Sequence, residues 1–160
     1  MDYLWTPWRY QYVSTGGDRS GCIFCAALKR NNDAETLILF RGQHNFILLN
    51  RFPYTTGHSM IAPFAHVGEL DKAAPDVLGE MMRLAQRLQR AFGELYRPDG
   101  YNLGMNLGRV AGAGVADHLH LHVLPRWTGD TSFMTTVGET RLEPEDLATT
   151  YAKLKPFFEK

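Results

Sequence analysis

Residues 118–124 read His118-Leu119-His120-Leu121-His122-Val123-Leu124, with a histidine at every second position. In a β-strand, successive side chains point to opposite faces. The spacing therefore predicts a strand whose histidines share one face, while Leu119, Leu121 and Val123 point into the core. The chain holds six histidines in 160 residues. Chance would place three of them at this spacing in roughly one such sequence in a hundred.

Three interpretations of this strand are open. A half-buried strand with a polar outer face, a metal site made of three imidazoles, and a site for phosphate chemistry all fit the pattern. The preceding loop favours phosphate, because residues 106–115 include Gly108, Gly112 and Gly114, and small residues let backbone N–H groups approach an anion closely. The loop is neither a P-loop nor a Rossmann fingerprint, since no Gly-Lys-Ser/Thr follows and it leads into a strand.

Imidazole is suited to phosphate chemistry. A neutral histidine is a good nucleophile near pH 7, and its in-line attack on phosphorus would form a phosphorus–nitrogen bond reactive enough to be cleaved again. Backbone donors and a second imidazole would stabilise the charged oxygens of the transition state. A neighbouring histidine could supply or relay the proton that the leaving group needs.

The remaining patterns predict an α+β domain with an antiparallel sheet. A long helix is expected from Asp76 to Tyr96, because apolar residues recur there at steps of three and four. A last helix is expected to begin near Pro144, and Pro156 limits it. Four further strands are predicted at Thr36–Phe40, Asn45–Leu49, Ser59–Ala62 and Tyr101–Leu107. The first three are joined by connections too short for crossover helices, which favours antiparallel pairing.

Composition limits the classes of function. The chain carries 17 basic and 17 acidic residues, and this balance argues against a nucleic acid as partner, because proteins that bind polyanions usually have a basic excess. No segment reads as a membrane span or a signal peptide, so a cytoplasmic protein is expected. Residues 1–160 are expected to form a single domain, with residues 1–20 as an N-terminal aromatic arm.

The histidine strand carries a family resemblance. His-apolar-His-apolar-His-apolar-apolar is the signature of the histidine-triad (HIT) superfamily, and residues 118–124 resemble it at every position. Residues 50–63 look like the family's nucleoside-binding strand pair, and residues 122–126 look like its usual continuation. The resemblance implies a HIT-like fold, an antiparallel meander with one long helix and a C-terminal helix, which commonly pairs as a homodimer.

The resemblance also implies roles for polar residues. By position, His120 is the nucleophile that forms a nucleotidyl–histidine intermediate. His122 contacts phosphate and assists proton movement, and His118 helps to orient the site. His58 matches a family histidine that lies beside the triad, although a histidine that only caps the turn after Gly57 would look the same. Five further residues are candidates for substrate binding: Asn50, Asn106, Gly112, Gly114 and Trp127.

These binding candidates have different grounds. Asn50 stands where the family has a polar ribose contact, and Asn106 matches a polar residue on the phosphate side. Gly114 is a departure, because many hydrolases of the family carry glutamine four residues before the first triad histidine. The missing amide opens the way to another acceptor, such as inorganic phosphate. Trp127 could either stack on a base or pack at a dimer contact.

The flanking segments resemble one branch of the family, the bacterial diadenosine-tetraphosphate phosphorylases. These segments are the aromatic start at residues 4–9 and residues 125–134. The resemblance implies an enzyme, a nucleotidyl transferase or hydrolase, that cleaves at a nucleotide α-phosphate, with a dinucleoside polyphosphate such as diadenosine tetraphosphate as substrate. Two alternatives stay open: an adenosine 5′-phosphoramidate hydrolase, and a non-catalytic module that binds nucleotide or zinc.

Cys22 and Cys25 form a Cys-X-X-Cys pair. In a reducing compartment this spacing suggests a metal or redox pair more than a structural disulfide, and two buried free thiols are also compatible with it. A tetrahedral zinc site needs two further ligands, for which His66 and His118 are candidates. Several branches of the HIT family resemble this arrangement, which implies a structural zinc ion that ties the first triad histidine to the N-terminal segment.

Overall fold

The fold is built on a five-stranded antiparallel sheet. The computed structural model describes residues 21–30, 32–131 and 144–159. Every pair of neighbouring strands is antiparallel, and the spatial order is β1-β2-β3-β5-β4. The strands are β1 (Ile38–Arg41), β2 (Asn45–Leu49), β3 (Ser59–Pro63), β4 (Gly100–Gly104) and β5 (Leu121–Arg126).

Four α-helices and three short 3-10 helices lie in the described ranges. The α-helices in the described ranges are α1 (Ile23–Lys29), α2 (Asp33–Thr36), α3 (Pro75–Leu95) and α4 (Leu147–Leu154). Short 3-10 helices lie at Leu70–Lys72, Arg109–Ala111 and Lys155–Phe158. Proline is favoured at the start of α3, because the N–H groups of the first helical turn have no acceptor within the helix. The missing N–H of Pro75 therefore removes no hydrogen bond. Asp146 caps α4 by accepting a hydrogen bond from the backbone N–H of Thr149.

The sheet buries apolar side chains on both faces. One face packs against α3 and α4 in a cluster that includes Ile47, Ile61, Met81, Leu88, Leu121, Val123 and Leu154. The other face carries a smaller cluster with α1, formed by Phe24, Ile38, Phe46, Leu48, Met60 and Ala62. Met60 lies directly opposite His122 in the ladder, and directly opposite residues share a face. The triad histidines therefore lie on the α1 side of the sheet.

The predicted α+β fold, with its antiparallel sheet, long helix and C-terminal helix, is confirmed. The long helix is shifted by one residue from the predicted range, and the last helix begins at Leu147. The first predicted strand was wrong at its start. Thr36 ends α2, because its N–H and its hydroxyl both donate to the carbonyl of Asn32, and Leu37 then turns the chain with a φ of 61°. The strand after α3 stops at Gly104, where its ladder with β5 ends.

The triad strand also begins later than predicted, because β5 excludes residues 118–120. Two hydrogen bonds explain the difference. The carbonyl of Pro63, at the end of β3, accepts from side-chain Nε2 of His118 (2.8 Å). The N–H of Leu119 donates to the carbonyl of Val67 (2.6 Å), which lies outside β3. The predicted alternation of side chains nevertheless holds, since the inward residues are all buried in the α3 cluster: Leu119, Leu121 and Val123.

The aromatic arm predicted for residues 1–20 lies outside the described residues, as do Phe133 and Met134. The prediction of a single domain over residues 1–160 stays a prediction. Among the helices in the described part of the chain, none combines the length and the apolar composition that crossing a bilayer requires.

Candidate active site

Four histidines converge on the α1 side of the sheet, and we call them the histidine group: His58, His118, His120 and His122. The ring centroids of His120 and His122 are 4.9 Å apart, and those of His58 and His122 are 5.1 Å apart. His58, His118 and His120 are buried, whereas His122 is half-buried. The structure therefore brings together the four histidines that the sequence singled out as catalytic candidates.

One hydrogen bond sets the state of the His120 imidazole. Nδ1 lies 2.8 Å from the main-chain carbonyl oxygen of His118. A carbonyl can only accept, so Nδ1 carries the proton and Nε2 keeps a lone pair in the neutral ring. Burial lowers the pKa of His120, which favours the neutral form near pH 7. This is the tautomer that a nucleophile attacking through Nε2 needs.

A chain of hydrogen bonds sets the state of His122. The backbone N–H of Tyr54 donates to Nδ1 of His58 (3.1 Å), so the neutral His58 ring carries its proton on Nε2. That nitrogen lies 2.8 Å from Nδ1 of His122 and donates to it. The proton of neutral His122 is then on Nε2. Burial and, second, the neighbouring His120 lower the pKa of His122 to about 4, so the ring is neutral near pH 7.

Asn50 braces the same chain of hydrogen bonds. Its Oδ1 accepts from the N–H of Phe52 (3.0 Å), and its Nδ2 contacts the face of the His58 ring, 3.3 Å from Nδ1 and 3.5 Å from Nε2. The ring of Tyr54 also lies here, with its centroid 4.6 Å from that of His58 and 6.1 Å from that of His122. Asn50 is thus placed against the histidine group, and its ribose contact stays a prediction.

The glycine-rich loop leaves the sheet beside the histidines and returns at the first of them. Gly104, the last residue of β4, lies opposite His122. The side-chain amide of Asn106 donates to the carbonyl of Gly112 (3.4 Å) across the loop. Gly112 has a φ of 90°, a left-handed conformation that favours glycine. Gly114 is exposed. The structure therefore brings Asn106 and Gly112 into contact, and their binding of phosphate stays a prediction.

Trp127 packs against the end of α3. Its indole N–H donates to the main-chain carbonyl of Tyr96 (3.3 Å), and the two rings meet edge to face with centroids 6.3 Å apart. These contacts give the indole a structural partner without any ligand. Stacking of Trp127 on a base stays a prediction.

Sequence reasoning missed two aromatic residues at the site, Phe24 and Tyr54. The ring of Phe24 lies 5.0 Å from that of His120 and 5.1 Å from that of His118, between centroids. Its position between Cys22 and Cys25 was the available signal, because a residue between two members of a candidate metal site is held close to the other members. Tyr54 stands four residues before His58 in the segment that resembles the family.

Two cysteines and two histidines converge next to the histidine group, and we call them the cysteine–histidine cluster: Cys22, Cys25, His66 and His118. Their possible ligand atoms all lie within 4.8 Å of one another. Nδ1 of His118 is 3.2 Å from Sγ of Cys22 and 3.7 Å from Sγ of Cys25, and Sγ of Cys25 is 3.4 Å from Nδ1 of His66. Ligands of tetrahedral zinc lie about 3.3–3.8 Å apart for bonds of about 2.3 Å to sulfur and 2.05 Å to nitrogen. The cluster fits such an ion.

The orientation of His118 matches a ligand role. Its Nε2–H donates to the carbonyl of Pro63 (2.8 Å), which leaves the Nδ1 lone pair directed at the cysteines. Both cysteines are free thiols. Burial and the neighbouring Cys22 raise the pKa of the Cys25 thiol, which is the opposite of the lowered pKa of a redox-active cysteine. Two imidazoles lie at ligand distance from the thiols, which a metal needs and a redox pair does not, and they favour a metal over a redox pair.

A cleft of about 860 Å³ opens beside the cysteine–histidine cluster. Residues 66–72, 107–108 and 116–117 line it, so His66 borders the cleft, whereas His120 and His122 do not. Three of its lining residues are acidic: Glu69, Asp71 and Asp117. Carboxylates repel a polyphosphate, and the cleft is therefore a poorer place for a phosphate chain than the surface above the histidine group.

The sequence of this chain is similar to a known family and to proteins with known names. Residues 31–129 match the HIT domain family. An AP-4-A phosphorylase from Mycobacterium tuberculosis is 35% identical over 157 residues, which cover 94% of this chain and 80% of the relative.

Solved structures give the same assignment. A zinc-bound histidine triad family protein from Mycobacterium smegmatis superposes with a TM-score of 0.69 at 29% identity, covering 86% of this chain and 92% of that one. A hypothetical histidine triad nucleotide-binding protein from Sulfolobus tokodaii superposes with a TM-score of 0.68 at 25% identity, with the same coverage. The family match over more than half of the chain and the likeness to the mycobacterial phosphorylase lead to one conclusion: this chain belongs to the HIT domain family.

Proposed function

We propose that this protein is a HIT enzyme that cleaves a dinucleoside polyphosphate, such as diadenosine tetraphosphate, at a nucleotide α-phosphate. The observation that carries the proposal is the hydrogen bond from Nδ1 of His120 to the carbonyl of His118, which leaves Nε2 as a nucleophile. The relative from Mycobacterium tuberculosis named AP-4-A phosphorylase supports the substrate class.

The reaction follows from the two tautomers. Nε2 of His120 attacks the α-phosphorus, a phosphorus–nitrogen bond forms, and the phosphorus–oxygen bond to the remaining polyphosphate breaks. The imidazole becomes positively charged, and the carbonyl of His118 stabilises that charge through the Nδ1 proton. Nε2–H of His122 donates a hydrogen bond to the phosphate oxygens, whose negative charge grows in the transition state. In the second step an acceptor attacks phosphorus, the phosphorus–nitrogen bond breaks and His120 returns to its neutral form.

Inorganic phosphate is the acceptor that we propose, which makes the enzyme a phosphorylase. A phosphate oxyanion attacks without losing a proton, whereas water needs a base to remove one. Gly114 stands where many family hydrolases have a glutamine, and glycine has no side-chain amide to orient a water molecule. With phosphate, diadenosine tetraphosphate would give ADP and ATP. Water as acceptor would give AMP and ATP.

Product analysis tests this proposal. The protein is incubated with diadenosine tetraphosphate, with and without inorganic phosphate, and the nucleotides are separated by chromatography. We expect ADP and ATP with phosphate, and no turnover by a His120→Ala variant under either condition. If AMP and ATP form in the presence of phosphate, the reaction is hydrolysis and not phosphorolysis. Unchanged turnover by His120→Ala would reject the enzyme mechanism.

An adenosine 5′-phosphoramidate hydrolase is the second candidate. Its leaving group is an amine, which must take a full proton, and His122 is the residue placed to supply it. The name of the relative from Mycobacterium tuberculosis favours a dinucleoside polyphosphate over this candidate. A non-catalytic module is a third reading, and it predicts that nucleotide binds without being consumed.

We also propose that the cysteine–histidine cluster holds a structural zinc ion. The distances between its ligand atoms and the zinc-bound relative from Mycobacterium smegmatis support this. Such an ion would join α1 to the first triad histidine and would stiffen the site. A cytoplasmic location is inferred with it, because a reducing compartment keeps both cysteines available as thiolates. Atomic spectrometry of the purified protein should find one zinc ion per chain, and a Cys22→Ser, Cys25→Ser variant should contain none.

A homodimer is the assembly that we infer. β4 lies at an edge of the sheet and pairs with β5 on its inner side. An exposed strand edge is a template for pairing with another chain, and two-fold symmetry lets the same strand of a second copy provide that partner.

A further inference from the structure

The side chain of Phe24 forms one wall of the site. It is almost fully buried, with 1% of its surface exposed. Its ring centroid lies 5.0 Å from that of His120 and 5.1 Å from that of His118, with interplanar angles of 41° and 49°. The residue thus contacts both the nucleophile of the proposed reaction and the residue whose carbonyl orients it.

The contact adds a restraint that the hydrogen bond of His120 lacks. The bond from Nδ1 to the carbonyl of His118 holds one atom of the imidazole, but the ring can still rock about that atom. An apolar ring against its side blocks this movement. Phenylalanine offers no hydrogen-bond partner, so it does not compete for the lone pair of Nε2.

Phe24 is itself held firmly. It lies on α1 between the two cysteines of the cysteine–histidine cluster, whose sulfur atoms lie 3.2 and 3.7 Å from Nδ1 of His118. On the sheet, its ring meets the ring of Phe46 edge to face, with centroids 6.4 Å apart. Closely packed side chains of this kind transmit position because the interior has few voids.

We propose that Phe24 is a positioning residue, which holds the His120 imidazole so that Nε2 points at the α-phosphorus. This inference rests on the proposed function and deepens it. A nucleophile that deviates from its attack geometry slows the chemical step while substrate binding is retained. The role therefore predicts an effect on kcat with little effect on KM.

A matched pair of variants tests the role. Phe24→Leu and Phe92→Leu each remove one fully buried aromatic ring, but Phe92 lies in the cluster on the other face of the sheet. In the described part of the chain its ring contacts are to Tyr96 and Tyr101, and not to Phe24 or a histidine. We expect kcat on diadenosine tetraphosphate to fall about 10- to 100-fold for Phe24→Leu, with KM changed less than about threefold. Phe92→Leu should retain kcat within about threefold, even if its Tm falls as much as that of Phe24→Leu.

A spectroscopic readout keeps the test independent of turnover. Nitrogen-15 NMR of the imidazoles distinguishes the Nδ1–H from the Nε2–H tautomer. We expect one defined Nδ1–H state for His120 in the wild type and in Phe92→Leu. In Phe24→Leu we expect averaged signals, because a ring that rocks freely loses its hydrogen bond to the carbonyl of His118 part of the time. Phe24→Met serves as a second variant if the leucine form does not fold, with the same expectation.

The inference is overturned if Phe24→Leu keeps wild-type kcat and a defined tautomer. It is also overturned if both leucine variants lose kcat in proportion to their loss of stability. A failure of the proposed function looks different, because the wild type would then not turn over the substrate, while the NMR comparison would still report on Phe24.

Discussion

The state of each imidazole in the proposed active site depends on a main-chain group. The carbonyl of His118 orients His120, and the N–H of Tyr54 orients His58, which in turn orients His122. Main-chain partners are present whatever the neighbouring side chains are. The tautomers of the site should therefore survive most substitutions of residues that do not contact the histidine rings.

His122→Gln should distinguish between leaving groups. A glutamine amide can donate a hydrogen bond to a phosphate oxygen, but it cannot transfer a proton. A polyphosphate leaves as a stable anion, whereas the amine of a phosphoramidate needs a proton. We expect kcat/KM to fall about 100-fold or more for adenosine phosphoramidate and about tenfold or less for diadenosine tetraphosphate. Steady-state kinetics on both substrates measures the ratio, and equal losses would contradict proton transfer by His122.

The same residue should make stability depend on pH. The pKa of His122 is about 4 in the folded protein against an ordinary 6.5, so between these values the unfolded chain binds a proton that the folded chain does not. The free energy of unfolding should therefore fall as pH falls from about 6.5 to 4, by roughly 2–4 kcal/mol from this group.

Urea unfolding at several pH values measures this effect, with His122→Gln as the comparison. The groups that face His122 are His58, His120 and Tyr54, and the pKa of His120 is also lowered. The variant should therefore keep part of the slope and lose part of it. An identical slope in both proteins would show that His122 is not kept neutral by the fold.

At the scale of single residues, the spacing of the histidines was enough to predict that the three triad side chains share one face of a strand. It could not assign tautomers, because these depend on backbone atoms such as the N–H of Tyr54. It also missed Phe24, since its position between two cysteines suggests that it lies near a candidate metal site but does not show which rings it contacts.

Among the elements, α3 does more than cover the sheet. The carboxylate of Glu80 accepts hydrogen bonds from the backbone N–H groups of Gln43, His44 and Asn45 at 2.7–2.8 Å, and from Nδ2 of Asn45 at 2.8 Å. These donors belong to the turn between β1 and β2 and to the first residue of β2. The long helix thus holds the turn in place through one half-buried acid.

Glu80→Ala should lower the free energy of unfolding by about 1–3 kcal/mol, because it leaves partly buried donors, among them those of Asn45, without an acceptor. Burial opposes ionisation, but the hydrogen bonds outweigh it and lower the pKa of Glu80 below 4.5. The contribution should therefore be full above about pH 4.5 and disappear as pH falls below it. Glu94→Ala, at an exposed position of α3, should change stability by less than about 0.5 kcal/mol. Equal effects of the two variants in urea unfolding would refute the role of Glu80.

Periodicity predicted the helices well and the strands less well. The apolar stripe of α3 determines its range to within one residue, because each turn must face the sheet. Strand ends depend on which carbonyl or N–H is still unpaired. The carbonyl of Pro63 accepts a hydrogen bond from the side chain of His118 and is therefore taken before a backbone N–H of the next strand can donate to it. No pattern in the sequence predicts this.

For the whole molecule, the outer edge of β4, which has no neighbouring strand among the described residues, is the feature with the largest consequence. Leu103 on this strand is 41% exposed. If two copies pair there, Leu103→Glu would place charges in the contact and should yield a monomer in analytical ultracentrifugation. Leu70→Glu is the control, because Leu70 is equally exposed, at 40%, on a short helix far along the chain from β4. A dimer that survives Leu103→Glu would contradict pairing through this edge.

The overall architecture could be predicted from the sequence, whereas the assembly of the cysteine–histidine cluster could be predicted only in part. Cys22 and His118 are 96 positions apart. Their meeting requires α1 to cross the sheet face where the triad begins, which local patterns do not encode. Only the family resemblance indicated which two histidines would join the cysteines.

The central claim is that His120 forms a covalent bond to the nucleotide. The most direct measurement mixes the enzyme with diadenosine tetraphosphate in the absence of phosphate, and quenches the reaction in base to protect an acid-labile phosphorus–nitrogen bond. Peptide mapping by mass spectrometry then locates any bound adenylate. The account predicts adenylate on Nε2 of His120, which disappears when phosphate is added before the quench. Turnover without a protein-bound adenylate, or adenylate on another residue, would contradict it.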